Sequence, residues 1–205
     1  LFMGSRLRCA NCHNHPLDRW TQNDYHGLAA IFAKIERGRI VSEKPSGRTI
    51  HPRTLEPAIQ RIPGERFLAN GTDDSRKQLA DWLTDVSNPY FAKAMVNRLW
   101  KRMMGRGLVE PVDDFRDTNP ATHPALLGKL ARDFVENDYS LRHSLRVIAT
   151  SDAYARSANA IEQNKDDDRF YAHALRRPLE PEVLADAISD VVGIADKYGE
   201  EPDGT

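Results

Sequence analysis

Only two cysteines occur in the 205 residues, Cys9 and Cys12. A framework of dispersed disulfides is therefore excluded. No stretch approaches the roughly 20 consecutive apolar residues that a transmembrane helix needs. Residues 1–6 lack the basic region followed by a long apolar run that marks a secretory signal. Charge of one sign is also missing: 29 Lys and Arg stand against 30 Asp and Glu, a net charge of −1. There is thus no global electrostatic case for a nucleic-acid partner or an anionic membrane surface, and the local run Arg6-Leu7-Arg8 does not alter that. No internal repeat is present. A nucleophile elbow, a P-loop and a metalloprotease helix are all absent, so neither a hydrolase nor a transferase class is indicated and the question of enzymatic activity stays open.

What is present suits a soluble, packed chain: 40% of the residues are hydrophobic and 29% charged. The length fits one large domain or two small ones. The chain starts without Met and carries its most specific motif nine residues in, so it reads as an internal piece of a longer protein.

The apolar spacing predicts a mainly α fold, a helical bundle with a short β and loop linker after an N-terminal motif segment. Three parts are expected: 1–38 with the motif, a linker over 39–72, and a helical region over 73–205. In the first, Thr21 reads as an N-cap with Asp24 three residues on. Tyr25, Leu28, Ala29, Phe32 and Ile35 follow at helical spacing, and Gly38 is expected to close the helix. The linker holds prolines, glycines and the β-prone runs Arg39-Ile40-Val41 and Arg48-Thr49-Ile50. From Asp73 the helical pattern returns. Leu79, Trp82, Leu83 and Val86 share a face, and Asn88-Pro89 breaks it. A second helix carries Ala92 to Met103 and stops at Gly105. Pro124 opens a third, Ser140 caps a fourth, and the last begins near Pro181. Residues 157–169 form a polar surface loop. Leu99, Trp100, Leu130 and Phe134 are expected to pack together.

The chemically specific feature is Cys9-Ala10-Asn11-Cys12-His13. Covalent haem attachment needs two thiols that reach the two vinyl groups on one porphyrin edge, with an imidazole just behind them for the iron. Cys-x-x-Cys-His supplies all three in five residues. On this reading Cys9, Cys12 and His13 bind the cofactor. Three other readings stand beside it. The cysteines can form a dithiol redox pair, although the βαβ context of thioredoxin-like motifs is missing. Cys9, Cys12, His13, His15 and His26 can hold zinc, although a second Cys/His pair at finger spacing is absent. The cysteines can also be purely structural. Of the possible metal ligands His13, His15 and His26, His15 reads rather as a turn residue before Pro16. His26, beside Tyr25 on a half-exposed helix, is expected at the surface. A sixth iron ligand is sought among Met3, His26, Met95, Met103 and Met104, with Met95 and Met103 expected in the core. In the polar stretch 106–122, Asp113 or Asp114 is expected to pair with Arg98 or Arg116 and so dock the loop on the bundle.

The run Cys9-Ala10-Asn11-Cys12-His13-Asn14-His15-Pro16-Leu17-Asp18-Arg19-Trp20-Thr21-Gln22 resembles the C-terminal end of a cytochrome-c-like domain of unknown function abundant in planctomycetes. There the run usually reads Cys-x-x-Cys-His-x-His-Pro-Phe-Asp-x-Trp, so Leu17 stands in place of Phe. Asn88-Pro89-Tyr90-Phe91-Ala92, Asn97-Arg98-Leu99-Trp100 and Gly105 through Arg116 resemble the N-terminal part of its usual partner domain. So do His123-Pro124, Leu130 through Phe134 and Arg176-Arg177-Pro178-Leu179. The resemblance implies a secreted or surface-associated protein, often with a further cytochrome module upstream. The expectations are therefore haem c binding and electron transfer outside the cytoplasm, in the periplasm or at the cell surface, to an unknown redox partner or an upstream cytochrome module. The alternative is a non-catalytic interaction module whose Cys/His cluster binds a structural metal such as zinc or forms a disulfide. A third is a redox enzyme with an open haem site.

Overall fold

The computed structural model describes residues 2–65, 67–68 and 74–194. The expected helix start at Asp73 thus lies just outside the described residues. The chain divides into two compact units, Leu1–Ala174 and Leu175–Thr205.

In the first unit the leading helix, α1, spans Gln22–Ile31. Its start was legible: Thr21 and Asp24 form a reciprocal capping box, which satisfies two of the amide donors a helix N-terminus leaves unpaired. Its end was not. The helix stops at Phe32, six residues before Gly38. The chain turns instead into an antiparallel hairpin of β1, Ile35–Glu36, and β2, Ser42–Glu43. Lys44 N–H donates to the Lys34 carbonyl at 2.8 Å, extending the pairing back toward the helix. Gly47 then crosses the helix end so closely that a Cβ there would stand 2.0 Å from the Ala33 oxygen. Ile40 and Val41 consequently lie in the exposed hairpin loop, outside the strands. The run at Thr49-Ile50 does pair, through an isolated bridge from Ile50 to Pro57.

Helix α2 covers Ser75–Thr84 and is capped by the Asp74 carboxylate. It ends one turn earlier than its apolar pattern suggests, because Asp85 adopts extended backbone. Val86 is therefore exposed and does not share the face of Leu79. Asn88 explains the next start: its side-chain oxygen accepts from the Tyr90 and Phe91 amides at 2.9 and 3.0 Å. Helix α3, Phe91–Met104, follows and ends at Gly105, whose φ of 87° belongs to the left-handed region that glycine enters without cost. Helix α4, Pro124–Glu136, carries its proline in the first turn, and Ser140 caps α5, Leu141–Ala149.

The main core joins α3, α4 and α5. Val96, Trp100 and Met104 meet Leu127, Leu130, Phe134 and Ile148, with Leu99 partly buried against them. The four residues expected to pack together do so. The polar stretch closes this core through Leu108 and Val109, and Tyr171 covers Trp100 edge-on with ring centroids 5.4 Å apart. Asn97, fully buried, holds Val109 from both sides: its amide donates to the Val109 carbonyl at 2.9 Å and its oxygen accepts from the Val109 amide at 3.0 Å. The loop is docked on α3 by Arg98 on Asp113 and by Lys101 on Glu110 at 2.8 Å, while Arg116 on Asp114 at 2.6 Å ties the loop to itself. Burial tends to raise the Glu110 carboxyl pKa, but the Lys101 and Gly107 hydrogen bonds hold it below the usual range.

A second cluster gathers Ile31, Ile62, Leu68 and Leu79, and a third gathers Met3, Ala10 and Trp20. Trp82 and Leu83 of α2 pack against both. In the second unit, α6 spans Pro181–Val192 and ends at Gly193. Among the described residues no helix is long and apolar enough to cross a membrane.

Candidate functional site

The motif lies on a 3-10 helix, Leu7–Asn11, followed by a tight return. Ala10 is fully buried and packs with Met3 and Trp20, while Cys9, Cys12 and His13 on either side of it are exposed. One inward methyl thus pins a turn whose three reactive side chains face water. Both thiols are free. The turn is wound about the Cys9 carbonyl, which accepts from the Cys12 and His13 amides at 3.4 Å each. His13 Nδ1 lies 2.7 Å from the Asn14 carbonyl. A carbonyl only accepts, so Nδ1 carries a proton; in the neutral ring this leaves the lone pair on Nε2, which is the tautomer an Nε2 metal ligand requires.

Helix α1 braces the turn from behind. Gln22 Nε2 donates to the Cys12 carbonyl at 2.8 Å, and its own amide donates to Asn14 Oδ1 at 3.1 Å. His26 Nε2 donates to the Asn11 carbonyl at 2.9 Å. His26 is buried, contrary to the surface position its sequence context suggests. The reason is the linker, which folds back and lays the buried His51 ring 5.2 Å from it. Burial, together with the charges of His26 and Arg53, pushes the His51 pKa below its ordinary value. His15 serves the return: its Nδ1 accepts from the Leu17 amide at 3.2 Å, and its amide donates to the Trp20 carbonyl at 2.8 Å. Cys9, Cys12 and His13 therefore share one turn, while His15 and His26 are engaged in holding it. Among the described residues, no group of three or more His, Cys, Asp or Glu side chains is arranged to hold a metal ion. Of the methionines, Met3 and Met104 are buried in separate clusters, and Met95 and Met103 pack against the bundle as expected.

Below the turn, Asp24 ties α1 to the linker. It is buried, and its two oxygens accept from the Thr21 amide and hydroxyl at 2.8 and 2.7 Å and from the Gly64 amide at 2.9 Å. Arg61 Nε lies 3.0 Å away. Burial tends to raise this carboxyl's pKa, and the Gly64 and Thr21 hydrogen bonds with the Arg61 charge bring it below the usual carboxylate value. Gln22, His51 and Arg61 were not foreseen as part of the site. His51 and Arg61 come from a stretch with no periodicity, and only their burial reveals them.

A cleft of about 940 Å³ opens between residues 17–20, the start of α3, and residues 115–121 with the first turn of α4.

Residues 75–203 match the family described as PSD1, a protein of unknown function (DUF1553). The chain belongs to this family. The PSD1 match takes in α2 through α6 and the loop docked on α3. Residues 1–37 match a second family, PSCyt2, also described as a protein of unknown function (DUF1549). Both are planctomycete-type domains, and PSCyt2 covers the motif turn together with α1, while the linker, 39–72, lies outside both matches. No curated protein and no solved structure matches the chain.

Proposed function

We propose that this chain binds haem c at Cys9 and Cys12, with His13 as the proximal iron ligand, and serves electron transfer outside the cytoplasm. The observation that carries this reading is the turn itself: two free, exposed thiols and an exposed imidazole whose Nε2 has no hydrogen bond among the described residues, set around one buried alanine. Attachment adds each S–H across a vinyl C=C, so a C–S bond forms and the hydrogen passes to the neighbouring carbon with no net oxidation. When bound, haem supplies one-electron chemistry at iron. The chain's own residues hold the three donors: Ala10 anchors the turn, Gln22 and His26 fix the carbonyls of Cys12 and Asn11, and Asn14 fixes the His13 tautomer. Such outer partners orient a ligand and raise its basicity. For His15 the engagement also favours this reading over zinc, since freeing its Nε2 lone pair would put a proton on Nδ1 and break the bond from the Leu17 amide.

The test is production of the protein alongside haem-maturation machinery, followed by an absorption spectrum and intact mass. One haem should remain attached after denaturation, and Cys9→Ser with Cys12→Ser should lose it. A colourless product from competent cells, with zinc bound or the two cysteines joined, would overturn the reading in favour of a structural module.

A further inference from the structure

Resting on the haem reading, we infer that His51 is a positioning residue for the motif: it closes a one-way hydrogen-bond chain, from the Arg53 amide through His51 and His26 to the Asn11 carbonyl, that sets the direction of the Cys12 thiol. Each proton in the chain is fixed by its neighbour. The Arg53 amide can only donate, and it lies 3.3 Å from His51 Nδ1. That nitrogen therefore carries the lone pair, and in the neutral ring the proton sits on Nε2. The Asn11 carbonyl can only accept, and it lies 2.9 Å from His26 Nε2. His26 therefore carries its proton on Nε2 and, in the neutral ring, its lone pair on Nδ1. One ring is left with a donor and the other with an acceptor. Both atoms, His51 Nε2 and His26 Nδ1, are buried and have no hydrogen-bond partner among the described residues.

Such a pair is costly when left apart and complementary when joined. The ring centroids lie 5.2 Å apart, with the planes at 62°. The χ2 preference of histidine is broad, so a small turn of the His51 ring brings its Nε2–H onto His26 Nδ1. Tyr25 rests edge-on against His26, with centroids 5.0 Å apart. Burial first, and then the charges of His26 and Arg53, hold the His51 pKa below its ordinary value, which keeps the ring in the neutral form the chain requires. The backbone of His51 is itself anchored: its amide donates to the Glu56 carbonyl and its carbonyl accepts from the Leu55 amide, each at 2.9 Å.

The chain ends between the two cysteines. The Asn11 carbonyl belongs to the peptide before Cys12. The Cys12 carbonyl, which accepts from Gln22 Nε2 at 2.8 Å, belongs to the peptide after it. Cys12 thus sits between two peptides whose carbonyl edges are held from α1. Tetrahedral geometry at its Cα then sets the line of its Cβ. The Cys9 carbonyl accepts from the Cys12 and His13 amides at 3.4 Å, a looser hold. Cys12 therefore presents its S–H to one vinyl in a set direction, and Cys9 adapts to the other. In the addition the C–S bond forms at one vinyl carbon and the hydrogen passes to its neighbour.

The full chain serves for the test. In apoprotein carrying isotope-labelled histidine, nuclear magnetic resonance should show both rings protonated on Nε2 and a coupling across the hydrogen bond between His51 Nε2 and His26 Nδ1. Absence of that coupling, or a neutral ring of either residue protonated on Nδ1, overturns the inference whether or not haem binds. Holoprotein made with haem-maturation machinery is then compared as wild type, His51→Phe, His51→Gln and Leu79→Ala. Peptide mass and the pyridine haemochrome spectrum report one thioether or two, since an unreacted vinyl moves the band to longer wavelength. We expect two in the wild type. His51→Phe fills the space without a donor and should lose the Cys12 thioether in most molecules, leaving that thiol open to alkylation. His51→Gln keeps an N–H donor and should restore most of the double attachment. Leu79→Ala weakens the cluster of Ile31, Ile62 and Leu68 and should leave the ratio unchanged. Double attachment at the wild-type ratio in His51→Phe overturns the inference and leaves haem binding intact. An equal loss in Leu79→Ala makes the effect one of stability and overturns it too. Absence of haem from the wild type overturns both readings. Should His51→Phe not fold, the wild-type coupling and His51→Gln decide.

Discussion

Trp100→Ala is expected to destabilise the first unit by about 3–5 kcal/mol, the range for truncating a buried aromatic in a core that only partly collapses around the void. Trp100 is 3% exposed at the meeting of α3, α4 and Tyr171. It sits between Val96 and Met104 on the buried stripe of α3 and faces the cluster that includes Leu130 and Phe134. At this chain length the loss should lower the melting temperature by roughly 10 °C. Thermal unfolding followed by far-ultraviolet circular dichroism, with Trp100→Phe beside it as the smaller perturbation, is the measurement. An alanine variant that melts like the wild type would remove Trp100 from the core and with it the account of the bundle.

Asp24→Asn should cost about 3 kcal/mol, as expected when one member of a buried charge pair is removed. All of the groups around this carboxylate are donors: the Thr21 amide and hydroxyl, the Gly64 amide and Arg61 Nε. An amide side chain must turn its NH2 toward one of them in either orientation. The same site gives a pH signature. The Asp24 pKa in the folded chain is depressed below its ordinary value of 3.8. Its contribution is therefore fully present above that value and is lost as pH falls through the lower, folded one. Melting temperatures between pH 7 and pH 3 should fall less steeply at the acid end for Asp24→Asn than for the wild type. Glu110 is depressed in the same direction and keeps part of the acid slope in the variant. Equal acid slopes in the two proteins would contradict the burial and bonding described for Asp24.

The parts of the fold that were legible are those whose cause is local. Thr21 with Asp24, Ser140, Pro124 and Gly105 each mark a helix end through a bond or a φ preference contained within a few residues, and each stands where expected. The spacing of Trp100, Leu130 and Phe134 placed the bundle core for the same reason. Errors arose where distant chain decided the outcome. Helix α1 gives way at Phe32 because the hairpin and Gly47 occupy the space its next turns would need. Val86 is the exception, a local one: it leaves the helical face because the neighbouring Asp85 turns extended. His26 is buried because His51, 25 positions later, closes over it. At the candidate site, that Cys9, Cys12 and His13 share one turn follows from their spacing alone. The bracing by Gln22 and His26 does not, since a side chain reaching a carbonyl more than two turns away leaves no periodic trace.

The motif turn and its foundation differ in the quality of their hydrogen bonds, and that difference has a consequence in time. The amides of Cys12 and His13 reach the Cys9 carbonyl at 3.4 Å from an exposed stretch, close to the limit of a useful bond. The amides of Thr21, one position before the helix, and of Gly64, forty positions after Asp24, end on that buried carboxylate at 2.8 and 2.9 Å. In deuterated water the first pair should exchange within the earliest sampled interval and the second pair far more slowly. The thiols would thus ride on a stretch of backbone that opens readily while its mounting stays shut. A bulky planar group can be admitted between them without loosening α1.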